Sequence, residues 1–175
     1  PGELDMARLE RLCEQDGENH TAPDAILRLA ARLKEGDGAD MARRWKLSNA
    51  GRDRLEAVLA PGARIASHLK APDVRRLLYR LGPDIFKDRV RLAWAAAPMS
   101  QPALAWRMLL AMADSWERPR FALSGRDVMA AGVPEGAAVG RILAQLEAEW
   151  IGSDFTLDEA VLRERLAALI AAARD

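Results

Sequence analysis

The sequence predicts an all-α protein, on three observations. Apolar residues recur at intervals of three and four along most of the chain, which is the period of an amphipathic helix. We find no run of alternating apolar and polar residues rich in β-branched side chains, as a half-buried strand would need. Alanine, leucine and arginine, which favour helices, dominate the composition. We expect about nine or ten helices: a body of about seven in residues 1–120 and a small tail in residues 121–175.

Capping and breaking residues predict where the body helices begin and end. An amphipathic stretch starts near Leu4. Thr21 is expected to cap the next helix, because a proline and an acid follow in its first turn. Ser48 is expected to cap a later helix, and Gly82-Pro83 separates two others. After the helix that ends near Gly36, the remaining body helices are expected at about 39–47, 48–59, 72–81, 84–97 and 103–116.

The tail is expected to contain two helices joined by a sharp corner and one further helix. Ser124 and Asp127 form a capping pair for the first helix. Gly132 stands where a left-handed residue commonly ends a helix, and Pro134 prevents continuation. For the last helix, Thr156 is expected to be the N-cap of a capping box.

Three uses of this corner are open from the residues alone. A helix-turn-helix would place the second helix in a DNA groove, although Glu147 and Glu149 on that helix would repel DNA. Free amide groups near Gly136 could hold a phosphate. Close helix packing is the expected use of Gly140.

Bulk composition indicates a folded globular protein. Half of the 175 residues are apolar and 30% are charged. The apolar stretch Leu92 to Met99 is too short to span a bilayer. A single cysteine, Cys13, cannot form an internal disulfide and is typical of a reducing compartment, so we expect a cytoplasmic protein without a membrane partner. The chain starts at Pro1 rather than methionine, and we expect it to be processed or part of a longer protein.

The formal net charge of zero conceals an uneven distribution. Residues 1–40 carry 5 basic and 10 acidic side chains, residues 41–91 carry 13 and 5, and residues 92–175 carry 8 and 11. A central segment at +8 between acidic flanks is typical of an anion-binding face. The alternative is that these cations pair with acids from the flanks.

No residue pattern indicates catalysis or a metal site. His20 and His68 are the only histidines, and neither has metal-ligand spacing. No two aspartates stand two apart, as the metal pair of phosphoryl-transfer enzymes commonly does. The five tryptophans are expected to be core and helix-packing residues rather than base-stacking ones.

Several blocks resemble the C-terminal region of bacterial class II tRNA nucleotidyltransferases, the family of CCA-adding enzymes and poly(A) polymerases. The most specific block contains Leu123, Ser124-Gly125-Arg126-Asp127, Gly132-Val133-Pro134, Gly136, Gly140 and Trp150. "DAILRLAARL" from Asp24 and "WKLSNAGRDRL" from Trp45 are similar to earlier family motifs.

The resemblance implies a helical body and tail that hold tRNA or other structured RNA, while the protein's own N-terminal head transfers nucleotides. That head carries the Gly-Ser and Asp-x-Asp motifs and would use magnesium with CTP or ATP. Those motifs are absent here, so the resemblance assigns no catalytic residue, metal ligand or cofactor to this chain. Only the parent protein is expected to be an enzyme. The alternatives are a helix-turn-helix DNA-binding module and a protein-interaction module.

The candidate RNA-binding residues are eleven of the thirteen basic side chains of the central segment and two of the tail. They are Arg43, Arg44, Lys46, Arg52, Arg54, Arg75, Arg76, Arg80, Lys87, Arg89 and Arg91, with Arg126 and Arg141. Contact would follow phosphates and shape, because double-helical RNA exposes little readable sequence to side chains.

Overall fold

The fold is all-α, as predicted. The computed structural model describes residues 5–19, 21–62 and 64–172, and every regular element within these ranges is an α-helix. The chain divides into two compact units, Pro1–Trp116 and Glu117–Asp175. No helix among the described residues is both long and apolar enough to cross a membrane.

Helices α1 to α7 lie in the first unit and α8 to α10 in the second. The first unit contains α1 (Met6–Glu18), α2 (Ala25–Ala31), α3 (Gly38–Arg44), α4 (Asn49–Leu59), α5 (Ala71–Leu81), α6 (Pro83–Ala96) and α7 (Ala103–Asp114). The second contains α8 (Gly125–Ala130), α9 (Ala137–Gly152) and α10 (Glu159–Ala172).

Two of the predicted caps of the first unit can be compared with the structure. Ser48 caps α4 as predicted, accepting a hydrogen bond from the Gly51 N–H at 3.2 Å. The expectation that Thr21 caps α2 is wrong. Asp24 is the N-cap, and its carboxylate accepts from the Leu27 N–H at 2.9 Å. Asp is as good a cap as Thr, and it stands next to the helix.

Helix α6 is buried on two faces and joins the two apolar clusters of the first unit. Leu92 and Ala95 pack into a cluster with residues of α1, α2 and α4. Phe86 and Val90 pack into a second cluster with residues of α5 and α7. A helix covered on both sides also buries polar positions, which then require partners. Residues 88 and 89 of α6 are such positions.

Helix α3 packs closely on α4 through a glycine. A Cβ atom added at Gly38 would lie 3.0 Å from the Glu56 Cα and 3.0 Å from the Leu55 carbonyl oxygen. Only glycine allows this approach without a shift of the α4 backbone. The contact fixes the start of α3 and thereby the position of its C-terminal end.

The second unit buries one side of each of its helices. Its buried apolar residues include Leu123, Val128, Leu146, Trp150, Leu162 and Leu166. Phe121 and Phe155 contact the Trp150 ring, with ring centroids 5.3 and 4.9 Å away.

Two predictions about the corner can be compared with the structure. Gly132 has a left-handed φ of 96°, as predicted. The expectation that Gly140 allows close packing is wrong, because Gly140 is exposed and an added Cβ would meet nothing within 4 Å.

The predicted cap of the last helix is also wrong. Asp158 rather than Thr156 accepts the first free amide of α10, from the Val161 N–H at 2.9 Å. The Thr156 hydroxyl instead donates to the Ser153 carbonyl at 2.8 Å. The Asp158 carboxylate is a better acceptor than the Thr156 hydroxyl, and it lies two residues closer to the helix.

Candidate nucleic-acid interface

The basic residues predicted to bind RNA differ in exposure. Six of the side chains from both units are exposed, namely Arg43, Arg44, Lys46, Arg80, Arg126 and Arg141. Arg52 is exposed too, but its Nη2 lies 2.8 Å from the Asp53 carboxylate beside it. The remaining residues are buried or half-buried, namely Arg54, Arg75, Arg76, Lys87, Arg89 and Arg91.

Arg89 is a structural residue of the first unit. It is only 7% exposed, and its Nε and Nη2 donate to the Ala57 carbonyl at 3.0 and 2.6 Å. Its Nη2 also donates to the Ala60 carbonyl at 2.8 Å. Both carbonyls belong to the C-terminal end of α4, where helical partners are missing. Burial lowers the pKa of the Arg89 guanidinium from its ordinary value. This cation is therefore inaccessible to a ligand.

Arg54 is held between two carboxylates. Its Nε and Nη2 donate to the two oxygens of Asp88 at 2.7 and 2.9 Å, in the bidentate geometry that suits arginine. Its Nη1 donates to Asp24 at 2.7 Å. These hydrogen bonds, chiefly those to Asp88, raise the pKa of Arg54. Burial acts to raise the pKa of Asp24, but hydrogen bonds from the Leu27 N–H and Arg54 outweigh it and lower that pKa.

Arg91 is also paired with an acid of the first forty residues. Arg91 contacts the carboxylate of Asp16, which is 4% exposed. Arg28 donates to the other oxygen of the same carboxylate at 3.3 Å. Together with the Arg54–Asp24 pair, this contact means that the acidic flank neutralises part of the central charge.

A cleft beside these pairs carries no net charge. Its lining contains Thr21, Leu110, the cations Arg54, Lys87 and Arg91, and the acids Asp84, Asp88 and Asp114. Lys87 Nζ lies 3.1 Å from the Asp114 carboxylate. With three cations opposite three carboxylates, the cleft offers no excess positive potential to an anion.

On α5, one of the residues predicted to bind RNA already pairs with an acid. Arg76 Nη1 donates to the Asp73 carboxylate at 2.9 Å, and both side chains are partly exposed. Arg75 is half-buried, and Arg80 is exposed at the C-terminal end of the helix. Partly exposed pairs one turn apart contribute little to stability.

An accessible basic cluster remains at the C-terminal end of α3. We call Arg43, Arg44, Trp45 and Lys46 the α3 cap cluster; all four side chains are exposed. The Arg43 side chain is 75% exposed and donates to Asp40, whose side chain is 64% exposed, at 3.0 Å. Within the described residues, no carboxylate forms a salt bridge with Arg44 or Lys46.

The backbone of the α3 cap cluster is a Schellman motif. The Leu47 N–H donates to the Ala42 carbonyl at 3.0 Å, and the Lys46 N–H donates to the Arg43 carbonyl at 3.2 Å. Lys46 is the residue with left-handed φ, at 50°. Glycine usually fills this position, because a side chain there costs about 1 kcal/mol or more.

Trp45 departs from the expectation for the tryptophans. Trp106 and Trp150 are buried, and Trp94 and Trp116 are half-buried. Trp45 is 59% exposed. Its signal in the sequence is its position, after the last apolar residue of α3 and between basic neighbours.

In the second unit, Arg126 on α8 and Arg141 on α9 are exposed. The acid that follows Arg126, Asp127, pairs with a different cation: Arg163 donates to it at 2.9 Å. The side-chain and backbone donors of Ser124, followed by Arg163, lower the pKa of Asp127 to about 2.

The described residues contain no group of three or more His, Cys, Asp or Glu side chains arranged to hold a metal ion. His68 is exposed, and His20 lies outside the described residues.

Comparison with known proteins gives one partial similarity. No family model matches the chain. Over 73 residues, the chain is 41% identical to the "uncharacterized 28 kDa protein in petA 5′ region" of Rhodospirillum rubrum. The match covers 38% of this chain and 28% of that protein, so the chain spans little more than a quarter of this relative. The relative's name states no activity.

Proposed function

We propose that this chain is the RNA-holding part of a tRNA nucleotidyltransferase of the CCA-adding or poly(A) polymerase type. The observation that supports it most is the α3 cap cluster, where Arg43, Arg44 and Lys46 are exposed together beside an exposed tryptophan. The motif resemblance from Asp24 to Trp150 supports this family, and the exposed cations support an anionic ligand.

In this proposal, the body of about seven helices contacts the phosphate backbone of folded RNA. Arg44 and Lys46 are the principal phosphate ligands, because neither must leave a carboxylate to bind. Arg80 and the tail residues Arg126 and Arg141 add further contacts. Each phosphate neutralised releases counterions, so affinity falls steeply as salt rises.

The nucleotidyl transfer belongs to a head that these 175 residues do not contain. The head would bind magnesium and CTP or ATP, and the RNA held here would present its end to that site. We place the parent protein in the cytoplasm, where its RNA substrates are.

Binding of tRNA tests the proposal. We expect the Arg43→Glu/Arg44→Glu/Lys46→Glu variant to bind tRNA about a hundredfold more weakly than wild type at fixed salt, because three attractions become repulsions. The control is Arg163→Glu/Arg165→Glu, which reverses two cations that already pair with acids of their own unit. Equal loss per reversed cation in both variants would show that total charge, rather than this cluster, governs binding.

Two further assays separate the alternatives. With tRNA lacking its CCA end, CTP, ATP and magnesium, the chain alone should incorporate no nucleotide; incorporation would overturn the proposal. Duplex DNA should compete poorly against tRNA at equal salt. If duplex DNA wins, the corner between α8 and α9 is a helix-turn-helix, and if neither binds, the chain is a protein-interaction module.

A further inference from the structure

We propose that Trp45 stacks on an unpaired nucleotide of the bound RNA, with Arg44 and Lys46 on the phosphates beside it. This inference rests on the proposed RNA binding and assigns it a specific contact. It predicts that RNA with single-stranded nucleotides binds better than fully paired RNA.

The exposure of Trp45 is the first observation. Tryptophan is highly buried on average in folded proteins, as Trp106 and Trp150 are here. Trp45 instead leaves 59% of its surface accessible, at the C-cap position that follows α3. Its immediate neighbours in sequence are cations, which makes an apolar protein partner a poor occupant of this surface.

The backbone of Lys46 is an independent observation. Lys46 holds a left-handed φ of 50° in a motif that glycine would complete without strain. Strained residues persist where the surrounding structure enforces them, and they concentrate at functional sites. A lysine here adds an exposed cation at the residue after Trp45, at the expense of local stability.

The chemistry of the cluster identifies the ligand. An exposed indole offers a flat surface to a base, and adjacent cations suit the phosphates on either side of that base. In an RNA helix the base faces are covered by their neighbours, so only an unpaired nucleotide in a loop, bulge or end can stack on a side chain. Stacking accepts any base, so the site is expected to show little sequence preference.

The test uses the full chain and two RNA hairpins of the same stem, each closed by a non-nucleotide linker instead of a loop, one with a blunt end and one with four unpaired nucleotides at its end. For Trp45→Leu, we expect about tenfold weaker binding of the hairpin with unpaired nucleotides and unchanged binding of the blunt hairpin. Trp45→Phe should retain most of the affinity, because it keeps an aromatic face. Leu104→Ala changes another exposed apolar side chain and is the control.

The Lys46→Gly variant tests whether the lysine side chain at this left-handed backbone position contributes to RNA binding. This variant should melt at the same or a higher temperature than wild type, while binding both hairpins more weakly by two- to threefold. A chain that has lost its fold would not keep this melting temperature. Unchanged RNA binding by Lys46→Gly would remove Lys46 from the site.

The outcomes separate this inference from the proposed function. If the wild-type chain binds neither hairpin, the RNA-binding proposal itself fails. If it binds both hairpins and Trp45→Leu weakens neither, or weakens both equally, RNA binding stands and stacking is refuted. Trp45→Phe should lose most of the tryptophan fluorescence quenching that the hairpin with unpaired nucleotides causes in wild type, and quenching equal to that of wild type would also refute stacking.

Discussion

Two groups of basic residues in the first unit have the same charge and different uses. The α3 cap cluster presents Arg43, Arg44 and Lys46 to solvent. Arg54 and Arg89, on α4 and α6, instead contact carboxylates or helix-end carbonyls within the fold. A count of basic residues treats both groups as one positive surface. What separates them is whether a buried acceptor lies within reach.

Their location explains the difference. Helix α6 is covered on two faces, so its polar residues must find partners in the interior. On α4, Arg54 donates to the Asp88 carboxylate, and the Ala57 carbonyl accepts a hydrogen bond from Arg89. Helix α3 contacts α4 at its first residue, Gly38, whereas its C-terminal end is exposed to solvent. Because water can solvate the cations at that end, they need no partner within the fold.

The largest expected effect is the loss of Asp88. Asp88→Ala removes the carboxylate that binds Arg54 by two hydrogen bonds and leaves a partly buried cation. We expect the free energy of unfolding to fall by about 3 kcal/mol. The control is Asp84→Ala, whose side chain is 91% exposed and should change stability by less than about 0.5 kcal/mol. Chemical denaturation measures the unfolding free energy of both variants. Equal losses would contradict the assignment of Arg54 to the basic residues that the fold uses internally.

The next effect concerns Arg89. Arg89→Met keeps most of the side-chain volume but leaves the Ala57 and Ala60 carbonyls without their donor. We expect a loss of about 2 kcal/mol in unfolding free energy. Arg80→Met, at an exposed position of α5, should have almost no effect on stability. The RNA affinity of folded Arg89→Met should equal that of wild type. A marked loss of affinity would show that Arg89 contacts RNA.

A smaller effect is expected at Asp40. This exposed acid pairs with Arg43 and is the nearest competitor for its charge along α3. Asp40→Asn should leave stability within about 0.5 kcal/mol, because exposed pairs contribute little. It should strengthen RNA binding about twofold at low salt, as measured by fluorescence titration. Weaker binding would mean that Asp40 holds Arg43 in its binding position.

The smallest effect concerns pH and the second unit. Donors on Ser124 and Arg163 hold the pKa of Asp127 at about 2, below the value of about 3.9 for an unfolded chain. A carboxylate with a lowered pKa in the folded state adds stability above its unfolded pKa, and this contribution is lost as pH falls through the folded pKa. We therefore expect it to decline between about pH 4 and pH 2. A carboxyl titration by NMR should show the low pKa, and Asp127→Asn should remove that part of the pH dependence.

The helical period was enough to predict the fold class, because local propensity and apolar spacing agree along the chain. Helix ends depended on choosing between neighbouring acceptors, and the choices of Thr21 and Thr156 were wrong because Asp24 and Asp158 lie closer to their helices. The sequence could not separate Arg89 from Arg44. That distinction depends on contacts between residues more than thirty positions apart, which charge patterning does not contain.

Trp45 illustrates the same limit of local patterns. An aromatic residue near the end of an amphipathic helix normally packs inward, and the average behaviour of tryptophan favours a core position. The Schellman turn instead ends the helix, and Trp45 is exposed there. Three basic residues around one tryptophan were the available signal.

The salt dependence of RNA binding tests most directly whether the α3 cap cluster holds phosphates. The slope of log affinity against log salt should be measured for the wild-type chain and for Arg43→Ala/Arg44→Ala/Lys46→Ala. We expect the slope to become shallower by about 2 in the variant, because up to three phosphate contacts and their released counterions are lost. An unchanged slope with unchanged affinity would contradict the assignment of RNA binding to this cluster.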